Sequence, residues 1–245
     1  MSSPRWKILI SKALEQFKNQ TVMQVATLDS KRFDGPVVRV RSQVFREFME
    51  SPDNPSLPLL VTTTDIRTPK VSQLSADPIS EIAWWIEGAQ QQFRILSDTF
   101  LVPAPDNLHY AKWRHVLATA RPGTALGLFK EEDWEARRVA VFRTMSAHMK
   151  ASWCRPIPGS ILEGGEDEAK SWPERIEEPN ESMPEEEYKE AKRNWDRALS
   201  NFALMLIDPI EIDFVDVGVN PNTRSLFTKT LDGINVTWNE QALVP

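Results

Sequence analysis

The chain is poor in residues that build disulfides and metal centres. Its 245 residues include one cysteine, Cys154, so no disulfide can close within it and a cysteine-based zinc site lacks ligands. The three histidines, His109, His115 and His148, share no tight ligand spacing, and nothing acidic completes a metal set. They read as ordinary surface or half-buried side chains. No apolar run approaches the ~18 residues of a membrane span. There is no basic excess either: the formal charge is -6, which argues against nucleic acid as the main partner but leaves room for a local anion site. The first seventeen residues, MSSPRWKILISKALEQF, place Lys7 and Lys12 where a signal peptide needs apolar residues and offer no small-residue cleavage site. No internal repeat is found. These absences predict a soluble, cytoplasmic protein with neither membrane nor nucleic acid as partner.

What is present suffices for one sizeable core: 41% of the residues are hydrophobic, and the chain reads as a single domain over 1–245. Residues 4–18 carry apolar residues at helical spacing (Trp6, Ile10, Phe17) behind Pro4, a pattern for an amphipathic cover helix. Five strand-like segments follow, at 22–28, 37–48, 59–64, 81–87 and 91–101, separated by turn signals such as Asp34-Gly35-Pro36. One short helix interrupts them, with Thr68 as N-cap, Pro69 at the first position and Asp77-Pro78 as its stop. Residues 107–120 and 131–151 have helical periodicity, with Asp133 and Arg137 spaced for an ion pair. Residues 160–186 are rich in Glu, Pro and Ser and read as an exposed acidic insertion. A charged helix over 185–202 leads into two strands, 201–206 and 210–217, and then a hairpin over 223–238 turning at Asp232-Gly233. The pattern predicts a mainly β, α+β fold built on a barrel or sandwich.

The segment VTTTDIRTPK, residues 61–70, carries the chemistry. A strand ends in Thr62, Thr63 and Thr64; Arg67 follows; Thr68 opens a helix whose first turn holds Lys70. Free N–H groups at a helix start, two cations and threonine hydroxyls suit a phosphate monoester. The same residues could instead pair with Asp65 and solvate a loop. Arg39 and Arg41 stand two apart on one strand face, with Arg46 beyond. Like charges so placed repel unless they meet solvent or an anion, and spacing alone leaves both readings open.

In order along the chain these segments resemble the pyridoxamine 5'-phosphate oxidase-like flavoproteins. Residues 41–46, RSQVFR, are similar to the family's strand motif; residues 63–70, TTDIRTPK, to its phosphate motif; and IAWW (82–85) with QFRI (92–95) to the next hairpin. The segments PRWK at 4–7, 153–159 and 209–224 resemble a branch with a cyanobacterial prototype and many fungal members. The resemblance spans nearly the whole chain apart from 160–186. It implies an antiparallel, Greek-key, FMN-binding split β-barrel that dimerises with flavin mononucleotide (FMN) at the interface. It also implies contacts to the ribityl or phosphate part of FMN from Arg41 and Arg46, a channel lined by Thr63 and Thr64, phosphate binding by Arg67, Thr68 and Lys70, and Gln92 near the isoalloxazine edge. Arg224 matches one of two C-terminal arginines of the true oxidases. Those enzymes have tryptophan where Val215 stands, an aromatic residue at Thr63, a basic one at Pro69 and a second C-terminal arginine.

The resemblance therefore implies an FMN-dependent oxidoreductase with an altered substrate site. The alternatives are a non-catalytic FMN carrier or sensor, or a split barrel using haem or a deazaflavin. Of the nine tryptophans, Trp84 and Trp85 are adjacent in a strand, so one points inward and one outward. Trp153 either covers the flavin or packs its loop. Cys154 reads as an inert half-buried thiol.

Overall fold

The structure is a computed structural model that describes residues 2–31, 34–121, 124–232 and 235–245. Nine antiparallel strands form one sheet: β1 (Val22–Asp29), β2 (Val37–Val44), β3 (Glu47–Ser51), β4 (Asn54–Asp65), β5 (Ile79–Ile86), β6 (Gln91–Val102), β7 (Phe202–Asp216), β8 (Thr223–Asp232) and β9 (Asn235–Leu243). Their order is β2-β1-β5-β6-β7-β4-β3, and β8 and β9 continue from the lower half of β7. Among the described residues seven α-helices flank them: α1 (Arg5–Gln16), α2 (Pro69–Ala76), α3 (Tyr110–Thr119), α4 (Trp134–Thr144), α5 (Ala147–Ser152), α6 (Gly165–Lys170) and α7 (Glu185–Asn201). This is the expected α+β split barrel, antiparallel throughout.

Two cores lie back to back. In the first, Trp6, Ile10 and Ala13 of α1 pack on the inner faces of β1, β5, β6 and the lower half of β7, with Trp84, Phe93 and Ile95 fully buried. In the second, α3, α4, α5 and α7 cover β4 and the upper half of β7, with Phe142, Trp153, Trp195 and Phe202 ring against ring. Strand β4 separates them, so nearly all its side chains are buried. That explains why its hydrophobicity runs continuously instead of alternating.

The differences from the sequence-based expectation have local causes. The strand expected over 37–48 is two strands, because the chain changes partners at Phe45-Arg46: Phe45 N–H donates to Thr21 O at 2.8 Å and Arg46 N–H to Val61 O at 2.9 Å. The two strands expected over 201–217 are one, because a bulge in the register opposite Leu96/Ser97 accommodates Pro209, which lacks an N–H. The helix expected over 131–151 breaks at Met145-Ser146, where Ser146 Oγ accepts from Met149 N–H and starts α5. Asp133 does not pair with Arg137; it caps α4 through Ala136 N–H, and Arg137 turns to Glu132 at 2.7 Å. Residues 160–186 are largely exposed, as expected, yet they contain α6, and Ile176 enters the second core. The expected turn at Asp232-Gly233 includes Gly233, which lies outside the described residues; β8 and β9 pair up to Asp232 and Asn235.

Candidate functional site: a basic cleft at the barrel corner

The corner where β2 hands over to β3 lies beside the end of β4 and the start of α2. Thr62 Oγ1 donates to Val44 O at 2.8 Å and holds these strands together. Against this corner stand Met149, Ser152 and Trp153 at the end of α5. Together they enclose a cleft of about 240 Å³ lined also by Gln43, Arg46, Thr63, Thr64 and Lys70.

Lys70 is the buried cation of the cleft. Its ammonium donates to Thr64 Oγ1 at 2.8 Å and to Thr68 Oγ1 at 3.2 Å, which uses two of its three N–H bonds. Its pKa is pulled down to about 8, chiefly by burial and then by nearby Arg41, against the pull of Asp65. Arg46 is more exposed than Lys70, but its Nε is buried and has no hydrogen-bond partner, and burial lowers its pKa too. An orphaned guanidinium N–H and a desolvated ammonium in one cleft are both stabilised by an anion placed between them.

Arg41 stands behind this pair. It donates to Gln73 Oε1 at 2.9 Å and to Thr27 Oγ1, and Thr27 donates to the same Gln73 oxygen at 2.7 Å. Burial, and then Arg39, lower the Arg41 pKa. Its charge reaches the cleft, while its N–H groups tie β2 to α2. Thr68 occupies the N-cap position of α2 but makes no side-chain cap bond: its hydroxyl donates to Asp65 O at 2.8 Å. The expectation that its side chain caps the helix is thus corrected; the hydroxyl is drawn back into the turn.

Arg67 faces away from the cleft. Its guanidinium grips Asp65 with two bonds of 2.9 and 2.6 Å and donates to the carbonyls of Arg155 (2.9 Å) and Trp153 (3.3 Å). Asn201 adds a bond to Trp153 O at 2.7 Å. The Asp65 pairing raised from the sequence is therefore present, and it fastens the Trp153 wall. Trp153 packs on Phe142 and Phe202 and also borders the cleft. Cys154 is buried, burial pushes its thiol pKa up, and Sγ donates to Asn194 O at 2.9 Å. Such a thiol is inert at neutral pH. No group of three or more metal-ligating residues occurs among the described residues.

Gln92 and Arg224 stand elsewhere. Trp85, Gln92, Val215 and Arg224 face one another across β5, β6, β7 and β8. Asp213 accepts two bonds from Arg224, at 2.9 and 2.7 Å, and a third from Arg94, so its carboxyl stays below the usual range. This row lies on the outer sheet face, whereas Arg41 and Gln43 point to the other side of β2. At ~4.8 Å per strand, Gln92 is about 14 Å from β2 along the sheet. Trp84 is fully buried and Trp85 is 46% exposed, as alternation required. Sequence reasoning missed Met149 and Ser152 of the α5 wall, Gln43 and Gln73; it had named Trp153 as either a cover for the flavin or a packed loop residue. Only the run of small and polar residues around Ser152 hinted at the wall, and no spacing rule links it to β4.

Comparison with known proteins bears on the fold. Residues 3–103 match the sequence model of the family described as pyridoxamine 5'-phosphate oxidase, FMN-binding domain. That span includes all of the β2, β4 and α2 residues of the cleft but not the α5 wall. No curated protein sequence matches the chain. Among solved structures, a pyridoxamine 5'-phosphate oxidase-related, FMN binding protein from Nostoc punctiforme PCC 73102 is similar over 100% of both chains, with 24% identity and a TM-score of 0.66. PhzG from Burkholderia lata 383, solved with tetrahydrophenazine-1-carboxylic acid, is similar over 100% of this chain and 94% of its own, with 12% identity and a TM-score of 0.56. The first 103 residues thus carry the sequence pattern of an FMN-binding domain of the pyridoxamine 5'-phosphate oxidase type, and the chain as a whole has the split-barrel fold of these structures.

Proposed function

We propose that the protein is an FMN-binding flavoprotein acting as an FMN-dependent oxidoreductase, related to pyridoxamine 5'-phosphate oxidase but with a different substrate site. The observation that carries this reading is the pair of unspent cationic donors in one cleft, Arg46 Nε and the third N–H of Lys70. They suit a phosphate monoester, and Arg41 adds a charge behind them. Thr63, Thr64 and Thr68 line or brace the same end. Bound flavin would supply reversible two-electron transfer; the chain's part is to hold, orient and desolvate it.

One protomer offers too little room for the whole cofactor. About 240 Å³ is below the ~300 Å³ at which cofactor pockets begin. The outer sheet face also carries exposed Val22, Val38, Val40, Ile79 and Trp85, an apolar surface of the kind that marks an interface. A cytoplasmic homodimer joined through this face explains both features. The row holding Gln92 and Arg224 would then approach the partner's cleft, near the flavin ring. Val215 in that row and the pairing of Arg224 with Asp213 support an altered substrate end.

The test is direct. The purified protein should be yellow, with one FMN per chain, and should run as a dimer. Reduction by NADPH or NADH followed by reoxidation in air separates an enzyme from a carrier. A colourless protein that also fails to take up added FMN sinks the proposal.

A further inference from the structure

The corner cleft holds more unspent hydrogen-bonding groups than a phosphate can use. Besides Arg46 Nε and the third N–H of Lys70, two neutral side chains line it, Gln43 of β2 and Thr63 of β4. Gln43 is 8% exposed and Thr63 9%, so each is more than nine-tenths buried. Neither side chain has a hydrogen-bond partner among the described residues. The other polar groups around them are engaged. Thr62 Oγ1 donates to Val44 O, Thr64 Oγ1 accepts from Lys70, Ser152 Oγ donates to Met149 O at 2.6 Å, and Asp65 is held by Arg67. The Thr62–Val44 bond also fixes where the free pair stands: Gln43 precedes Val44 and Thr63 follows Thr62, so each is one residue from that bond at the same corner.

Buried polar groups left unpaired cost free energy, so a ligand group that completes them is favoured. Its chemistry follows from theirs. An amide and a hydroxyl each present an acceptor as well as a donor. A phosphate dianion only accepts, and Arg46 and Lys70 already offer it charged donors. The amide oxygen of Gln43 and the lone pairs of Thr63 need a donor instead. An ammonium is excluded there, because it would stand against two cations. A ligand hydroxyl is neutral, donates and accepts, and so completes either side chain. Given the phosphate end of the flavin reading, on which this inference rests, we propose that Gln43 and Thr63 are specificity-determining residues that recognise a hydroxyl carried close to the phosphate ester. The cleft then selects polyol phosphates over plain phosphate esters. The reach is short because about 240 Å³, once a phosphate lies between Arg46 and Lys70, leaves space only for the next few atoms of its chain. The ribityl phosphate end of FMN is such a chain.

The experiment is calorimetric titration of the FMN-free protein with three probes: inorganic phosphate, n-propyl phosphate and glycerol 3-phosphate. The two esters have the same carbon chain and differ in their hydroxyls. Glycerol 3-phosphate should bind about two- to twelvefold tighter than n-propyl phosphate for one completed hydrogen bond. Gln43→Met keeps the length of the side chain and removes its amide. It should take away most of the gap between the esters while inorganic phosphate binds as to the wild type. Thr63→Val should narrow the gap in the same sense. The proposal is overturned if the two esters bind the wild type alike, if none of the three probes binds, if Gln43→Met leaves the ratio unchanged, or if it weakens all three probes equally, as a merely structural role would. FMN uptake by the same protein is a separate reading. No uptake removes the flavin reading, and the ratio of the two esters still decides this proposal. Normal uptake with equal binding of the esters removes this proposal and leaves the flavin reading standing.

Discussion

The corner cleft and the row through Gln92 and Arg224 differ in how their charges are satisfied. In the row the guanidinium groups share a carboxylate: Arg94 and Arg224 both donate to Asp213, whose carboxyl is held ionised between them, although Arg94 Nε is itself buried without a partner. In the cleft Lys70 and Arg46 keep donors in reserve while losing solvation, and the nearest carboxylate, Asp65, is taken by Arg67. Neutralised charges on a sheet face add little stability and much orientation. Unneutralised charges in a cleft cost stability until an anion arrives. The comparison supports the proposal that the cleft, rather than the row, binds the anion.

The largest effect should come from emptying the cleft. Arg46→Ala combined with Lys70→Ala removes two charge-assisted contacts of ~1.5–3 kcal/mol each, so FMN affinity should fall by about 10²–10⁴-fold. Fluorescence titration reads this, and a double variant that stays yellow at full stoichiometry ends the assignment. Arg224→Ala should leave the phosphate end intact and shift only the flavin absorbance bands. Mixed dimers of Lys70→Ala and Arg224→Ala chains sharpen the point. If cleft and row come from different protomers, the FMN held by the intact cleft of a mixed dimer faces a wild-type row and keeps unshifted absorbance bands; shifted bands would mean that the two regions do not meet across the dimer.

Folding itself gives the next effect. Arg138 is 1% exposed, donates to Leu199 O and Phe202 O at the end of α7, and clasps Glu135. Arg138→Ala leaves buried carbonyls unpaired and should cost ~3–5 kcal/mol by denaturant unfolding. It should do so without touching the cleft's charges. Arg67→Ala, which loosens the Trp153 wall, should cost less, about 1–3 kcal/mol, together with a modest loss of FMN.

The most gradual effect is that of pH. Lys70 titrates near pH 8 when folded, against 10.5 for an ordinary lysine. The unfolded chain then binds more protons between those values, so the FMN-free protein should gain stability as pH rises from about 8 to about 10.5. FMN needs the ammonium, so its affinity should decline over the same interval, by at most tenfold per unit. Lys70→Met should flatten both trends; unchanged slopes would show that another group titrates.

Much of the barrel was legible because β strands advertise themselves by alternation: Trp84 in and Trp85 out followed from position alone. The Thr-Asp-x-Arg-Thr-Pro-Lys segment suggested an anion site because its hydroxyl and basic groups are adjacent in the chain, a reading that counted Arg67, which the fold commits to Asp65. The exchange of partners at Phe45-Arg46 was not, since a strand that swaps neighbours keeps its alternation and its β-branched residues. Nor was the partner of Arg137, because helical spacing nominates Asp133 equally well and only the N-cap bond to Ala136 withdraws it.

The sequence by itself determined the chemistry available: one thiol, an acidic whole, and a run of hydroxyls and cations around a strand end. Tertiary structure alone decided which of those cations stay unspent. Arg67, the most conspicuous basic residue of the run, is bound by Asp65 and two backbone carbonyls, whereas Arg46, at the corner between β2 and β3, keeps a bare N–H and lines the same cleft as Lys70. Charge is a property of a residue, but whether it is neutralised depends on neighbours that the fold brings within about 3 Å.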